Sequence, residues 1–314
     1  MKILITGIHG FVGHNLVEAL KLNNEIFGLS QSGGSIPGVT RIFTWDDLAN
    51  DDRLPAIDAI IHLAGKAHDT KNETEAQVYY DVNTGLTQRI YDYFLKSDAN
   101  KFVYFSSVKA AADAVAGDIL TEEMPARPVG PYGKSKFMAE KYILSHPTAK
   151  DVYILRPCMI HGPGNKGNLN LLYKVVKLGL PWPLGAFENR RSMLSVDNLS
   201  FVIGQLLQRP VASGIYQVCD DDALSTNELI GVICTSLGRH AHIWKLNRSL
   251  MRSTARLGDF LHLPLNTERL RKLTENYVVS NQKIKTALGI EKMPVKAVDG
   301  LKKTIDCFIS HRND

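Results

Sequence analysis

Cysteine is scarce: four in 314 residues, Cys158, Cys219, Cys234 and Cys307, with no C-x-x-C pair among them. Thiols so scattered build neither a disulfide framework nor a thiolate metal site, and the expectation is reduced, buried side chains in a cytoplasmic protein. The ten histidines contain no H-E-x-x-H; His240 and His242 would share a strand face, where they read as solvated side chains, so no metal is expected. No apolar run reaches membrane-spanning length, and Ile3 to Ile5, ended by Gly7, is too short for a secretory leader. A block of basic residues is also missing: 37 Lys and Arg against 32 Asp and Glu leave a net charge of +5, which argues against nucleic acid and suits small anionic ligands. There is no internal repeat or low-complexity stretch. With 44% hydrophobic and 22% charged residues, the chain has the composition of a globular protein with a large core.

The first half alternates short β-rich runs with helical periodicity, which predicts an α/β fold with a Rossmann-type doubly wound parallel sheet. Candidate strands are Lys2 to Thr6, Glu25 to Leu29, Arg41 to Thr44, Ala59 to Leu63, Lys101 to Ser106 and Val152 to Arg156; Val78 to Leu95 and Tyr132 to Ser145 have helical apolar spacing. After Arg156-Pro157 comes a Gly, Pro and Asn-rich stretch, His161 to Asn168, that reads as a loop leaving the sheet. The expected division is a dinucleotide-binding domain over 1–161, rejoined by 192–219, and a smaller C-terminal α/β substrate lobe from 162–191 and 220–314. Ser225 to Leu237, Ser249 to Leu261 and Thr267 to Leu273 read as helices of that lobe. Arg248, Arg252 and Arg256 lie on or near one face of the second. A basic amphipathic helix can lie on a membrane, but the reading preferred here is a surface helix packed on its own lobe, and no membrane partner is expected.

Two motifs carry chemistry. Lys2 to Thr6 breaks into Gly7-Ile8-His9-Gly10-Phe11-Val12-Gly13 just before an amphipathic helix, expected from His14 to Lys21, whose free N–H groups and positive dipole end can hold a pyrophosphate. Gly7 suits the tight turn, Gly10 the approach of backbone to phosphate, and Gly13 the packing of helix on strand. Downstream, Tyr132 and Lys136 put a phenol and an ammonium one helical turn apart. Oxidising an alcohol by hydride transfer needs a base, and a tyrosine with a pKa of about 10 needs help to serve at neutral pH. The expectation is that Lys136 depresses the Tyr132 pKa. A hydroxyl at a neighbouring strand end, Ser106 or Ser107, could orient the substrate oxygen.

These residues, with His62-Leu63-Ala64-Gly65, Asp81-Val82-Asn83, Arg156-Pro157 and Gly162-Pro163-Gly164, make nearly the whole chain resemble the extended short-chain dehydrogenase/reductases, in particular the NAD-dependent sugar-nucleotide epimerase/dehydratase group. The resemblance implies Tyr132 as base, Lys136 as its activator and ribose ligand, and Ser107 on the substrate oxygen. It implies a nicotinamide dinucleotide contacted by Gly7, His9, Gly10, Phe11, Val12, Gly13, Ser30, Asp46, Leu63, Ala64, Gly65, Lys66, Asn83, Ser106, Tyr132, Lys136 and Pro157. In the lobe, Lys166-Gly167-Asn168-Leu169 resembles the segment whose asparagine binds the substrate diphosphate, and Asn189-Arg190-Arg191-Ser192 the arginine segment that grips it, with Arg191 the better match. Arg271 reads equally as a third phosphate ligand or as an exposed helix charge. His161 stands where relatives have tyrosine and receives no role.

Two departures matter. Where NAD-preferring relatives carry an acid at the end of the second strand, this chain has Leu29-Ser30-Gln31-Ser32, with no arginine beside it to attract a 2′-phosphate, so NAD is expected and NADP stays open. Relatives that dehydrate the sugar have an acidic pair directly after the hydroxyl residue; here Val108 and Lys109 follow Ser107, and no 4,6-dehydratase activity is expected. The leading expectation is a 4-epimerase of a UDP-hexose or UDP-N-acetylhexosamine. Next stand an NAD(P)H-dependent 4-ketoreductase of a UDP-4-keto-6-deoxy sugar and a non-catalytic dinucleotide-binding sensor or scaffold. A homodimer through the helices Val78 to Leu95 and Tyr132 to Ser145 would fit the family.

Overall fold

The strand β1 (Lys2–Thr6) is buried from Ile3 onward because apolar side chains point to both of its faces, the signature of a central parallel strand. The computed structural model describes residues 1–49, 54–66, 75–115, 117–165, 167–261 and 265–310; Lys166 lies outside them, as does the side chain of Asn168. The main sheet is parallel throughout, with seven strands ordered β3-β2-β1-β4-β5-β6-β9. The others are β2 (Glu25–Ser30), β3 (Arg41–Thr44), β4 (Ala59–His62), β5 (Lys101–Phe105), β6 (Asp151–Pro157) and β9 (Gly214–Val218). The strand order reverses between β1 and β4, which opens a crevice at their carboxyl ends.

Alternation along the strands sorts the core into two layers. Ile3, Ile5, Ile61 and Val103 face α1 (Phe11–Leu20), through Leu16, Val17 and Leu20, and α7 (Val196–Gln208), through Leu199, Val202 and Ile203. Leu4, Ile60, Phe102 and Ile154 face α3 (Leu86–Lys96), through Ile90 and Phe94, and α5 (Gly130–Ser145), through Ala139 and Ile143. The helix expected from Val78 to Leu95 is not uniform. It runs as α2 (Ala76–Tyr79), a π-helical turn over Tyr80–Gly85, then α3. The wider turn buries Asn83 and Thr84.

The remaining elements are α4 (Val108–Ala111), β7 (Met159–His161), α6 (Asn168–Lys177), β8 (Met193–Ser195), α8 (Thr226–Ser236), α9 (Arg248–Leu261), α10 (Thr267–Thr274), α11 (Gln282–Leu288) and α12 (Ala297–Ser310). β7 and β8 pair in parallel as a separate two-stranded sheet. Leu169, Tyr173, Ile230, Ile233, Leu301 and Ile305 gather α6, α8 and α12 into a second core, and Leu184, Phe187, Met251, Ala255 and Leu270 make a third beneath α9 and α10. The stretch 277–293, assigned from sequence to the lobe, instead packs Tyr277, Val279, Ile284, Leu288 and Met293 into the same core as β1 and β6. His240 and His242 are exposed and lie in no strand; the chain just after them makes isolated bridges, Ile243 to Trp182 and Lys245 to Leu184.

Candidate active site

The glycine turn opens at the carboxyl end of β1. Gly7 has φ +68, and a Cβ there would stand 2.7 Å from the Ala64 nitrogen, so glycine is required both by conformation and by the neighbouring chain. Gly10 is the N-cap of α1, which has neither a capping side chain nor an acid in its first turn. The helix begins at Phe11, three residues before the expected His14, so Gly13 sits inside its first turn, where a Cβ would run into the Ile8 carbonyl. An uncapped N-terminus at the crevice, approached through glycines and free of carboxylate in its first turn, fits a dinucleotide pyrophosphate. His9 is exposed and Phe11 and Val12 half-buried around the same turn, while Ser30 ends β2 beside it and turns its hydroxyl onto the Ser32 carbonyl. Asp46 is exposed just beyond β3.

A buried polar chain ties this turn to the next strand. The Ala64 N–H donates to Thr6 Oγ1 (3.0 Å), Thr6 meets His62 Nδ1 (2.7 Å), His62 Nε2 meets Thr87 Oγ1 (2.9 Å), and Thr87 donates to the Asn83 carbonyl (2.6 Å). With Thr87 donating onward, the chain is consistent only when His62 carries its proton on Nε2 and accepts from Thr6. Asn83 extends it: Oδ1 accepts from the Lys66 N–H (2.7 Å), while Nδ2 donates to the Lys66 carbonyl (3.2 Å) and to Ser135 Oγ (2.9 Å). Ser135 in turn donates to the Tyr132 carbonyl (2.9 Å). The loop Leu63 to Lys66 is thus stitched to the helix that carries Tyr132, and Gly65 leaves room for the stitch, since a Cβ there would lie 2.8 Å from Asn83 Oδ1.

Burial, and then the charge of Lys136, hold the His62 pKa well below its ordinary 6.5, so the ring is neutral. A depressed folded pKa means that acid protonates the unfolded chain first; the stability is present above about pH 6.5 and is lost as the pH falls. His62→Gln keeps one acceptor and one donor but cannot titrate. Its urea midpoint should fall less than the wild type's between about pH 6.5 and 5, and parallel curves would rule out this source of acid lability.

Ser107 and Tyr132 share a hydrogen bond at the carboxyl end of β5. Ser107 is also the N-cap of α4, its Oγ accepting the Lys109 N–H at 3.2 Å, so its rotamer is fixed from the other side. Burial raises the Tyr132 pKa, and the Ser107 hydrogen bond partly offsets that rise. The expected depression by Lys136 is not what the geometry gives: the Lys136 ammonium donates to the Phe105 carbonyl (2.7 Å) and stands over the Tyr104 ring (5.1 Å). Desolvation brings the Lys136 pKa down to about 8 against the raising charge of Glu140.

Residues 3–219 match the model of the NAD dependent epimerase/dehydratase family. The chain belongs to that family. The enzyme is 29% identical over 327 aligned residues to a UDP-glucose 4-epimerase of Vibrio cholerae, covering 99% of this chain and 97% of the relative. It is 31% identical over 246 residues, 76% of this chain and 73% of the relative, to an N-acetyl-alpha-D-glucosaminyl-diphospho-ditrans,octacis-undecaprenol 4-epimerase of Escherichia coli O157:H7. Its fold superposes on a Bacillus cereus UDP-N-acetylglucosamine 4-epimerase with a TM-score of 0.77 at 21% identity, covering 99% of both chains. An NAD-dependent sugar-nucleotide enzyme therefore stands behind the crevice.

Several expected ligands of this family enzyme are committed to the protein itself. Ser106 turns inward, its hydroxyl on Glu140, while Arg156 makes a two-pronged ion pair with the same carboxylate (Nε–Oε1 2.9 Å, Nη2–Oε2 2.6 Å). Pro157, which ends β6, follows directly. Arg191 donates to the Lys272 carbonyl; burial pushes the Tyr277 phenol and the Cys158 thiol up, and the Arg191 charge only partly offsets that rise. Arg271 is half-exposed and pairs with Glu275 at 3.7 Å. Gly167 and Asn168 form the N-terminal edge of α6, and Leu169 is core, 2% exposed. Sequence reasoning missed Glu140, although its place eight residues after Tyr132 and four after Lys136 puts all three on one helix face. It also missed Tyr277, whose hydroxyl donates to the Ala112 carbonyl (2.7 Å) beneath the Lys109 ammonium.

Proposed function

We propose that the enzyme is a nucleotide-sugar 4-epimerase acting on a UDP-hexose or UDP-N-acetylhexosamine. The observation that carries this reading is the hydrogen-bonded Ser107 and Tyr132 at the strand end, with Lys136 one turn along and no carboxylate following Ser107. Ser107 holds the 4-hydroxyl oxygen, and Tyr132 removes its proton as C4 is oxidised to the ketone and returns it when the opposite face is reduced. A nicotinamide dinucleotide, its pyrophosphate assigned to the Gly7 to Gly13 turn at the α1 N-terminus, would supply the reversible hydride acceptor beside Tyr132. Lys136, one helical turn along, is assigned to the nicotinamide ribose and to the positive charge of the site. Arg191 and the α6 N-terminus are assigned to the diphosphate, which suits the bidentate geometry of guanidinium. Dehydration is disfavoured: Lys109 is tied to Asp113 (3.0 Å), and Glu140, the buried acid that accepts from Ser106, is locked by Arg156.

The 4-ketoreductase reading rests on the missing acid at the end of β2. A diphosphate is also what a nucleotide sugar shares with the polyprenol-linked sugar named for the Escherichia coli relative, so both classes belong in the assay. The deciding experiment denatures the purified protein and identifies the released dinucleotide by mass spectrometry. It then tests interconversion of UDP-glucose, UDP-N-acetylglucosamine and N-acetylglucosaminyl-diphospho-undecaprenol without added cofactor. Retained NAD with 4-epimer formation supports the reading. An empty protein that consumes NADPH on 4-keto sugar nucleotides replaces it with the reductase. Cytoplasmic location and a homodimer through α2, α3 and α5 complete the proposal; light scattering tests the dimer.

A further inference from the structure

We propose that α9 is an in-plane docking helix that seats the protein on an anionic bilayer surface. A surface helix ordinarily has one apolar face and a polar back. α9 has an inner apolar face, Met251, Ala255 and Gly258, packed on α10, and a second apolar face on the side turned to solvent. That outer face carries Leu250 (57% exposed), Leu257 (54%), Phe260 (80%) and Leu261 (52%). At about 100° per residue these four fall within one sector about 100° wide, its centre turned about 130° from that of the buried stripe.

Charge supplies the identity of the occupant. Arg248, Arg252 and Arg256 recur every fourth residue along one flank of the outer face. Arg248 donates to the Ala186 carbonyl (2.7 Å), and among the described residues neither Arg252 nor Arg256 has an ion-pair partner. Residues 239–275 hold eight Lys or Arg against three Asp or Glu, so an excess equal to the chain's whole net charge of +5 sits in this one stretch. Trp244, 55% exposed, precedes the helix. Leu178 and Leu180, both exposed, stand on the adjoining loop, which is held there by the bond from Arg239 to the Lys177 carbonyl (3.1 Å).

Arginine stems lie along apolar surface while their heads reach phosphate, and an exposed tryptophan suits the level of the headgroups. A second copy of this chain is a poor fit, since a two-fold contact through the same face would bring one arginine row against the other. Crossing the bilayer is excluded for α9, because no described helix is long and apolar enough. The docked part is the region of α9 and α10, the latter holding Lys272, whose carbonyl Arg191 contacts.

The test floats full-length protein on vesicles of phosphatidylcholine alone or mixed with phosphatidylglycerol, without substrate, so its failure is distinct from failure of the proposed reaction. The protein should float with the anionic vesicles, less so as salt rises. The pairs Arg252→Glu/Arg256→Glu and Leu257→Ser/Phe260→Ser should each weaken partition about tenfold or more. Should the serine pair lower the melting temperature, the glutamate pair on exposed positions decides. Absence of wild-type flotation, or equal flotation of the glutamate pair, overturns the proposal. So does a wild-type dimer that the serine pair converts to monomer, which would assign the face to a second copy.

Discussion

Tyr132→Phe should lower kcat by a factor of about 10² to 10⁴, the span typical of a lost general base, with dinucleotide retention unchanged. The substitution deletes one hydroxyl and little else. The ring stays in its edge-on contact with Tyr79, centroids 6.2 Å apart, and the backbone stays pinned by Ser135. Ser107 loses a partner but keeps the Lys109 N–H, so its rotamer should survive. The pH profile should carry a second signature. Burial raises the phenol while desolvation brings Lys136 to about 8, so the ammonium discharges before the phenol ionises, and turnover that needs both charges should rise with pH up to about 8 and level off above it. Steady-state kinetics and mass spectrometry of the released dinucleotide check both halves. A variant within a few-fold of wild-type kcat removes Tyr132 from the chemistry.

Much of this was legible in the sequence because it is local. Strand β1 begins and ends where its β-rich run does, since a parallel strand buried on both faces is a short continuous apolar word. The glycine turn was legible for the same reason: each glycine answers to a neighbour within a few residues, apart from the approach of Ala64. The π-helical turn was not, because its periodicity differs by one residue per turn and apolar spacing does not register that. The direction of Lys136 was illegible for a different reason. One helical turn from Tyr132 puts the ammonium on the right face, but its bond to the Phe105 carbonyl depends on where α5 crosses β5, a tertiary fact. The packing of 277–293 was illegible likewise: nothing in its composition says that Val279 and Ile284 join the core of the main sheet. In α9 the sequence displayed both the arginine row and the apolar residues, and only burial separates the inner stripe from the outer one.

The largest stability effect should come from the Glu140 and Arg156 pair. Their side chains are 1% and 4% exposed, and the carboxylate also accepts from Ser106. Removing one member leaves an uncompensated buried charge, so Glu140→Ala or Arg156→Met should each cost about 3–5 kcal/mol in urea unfolding. The double variant Glu140→Leu/Arg156→Met should cost clearly less than the sum, since neither charge is then stranded, and additive losses would refute a coupled pair. The milder Glu140→Gln separates structure from electrostatics. Its amide keeps an acceptor for Ser106 but removes the negative charge that raises Lys136, whose pKa should then drop below about 8. An amine discharges above its pKa, so kcat should level off at a lower pH, with the loss growing as pH rises. A uniform loss across the pH range would make Glu140 a packing element alone, whereas an earlier levelling-off would place it behind the active-site charge as the residue that keeps Lys136 protonated at neutral pH.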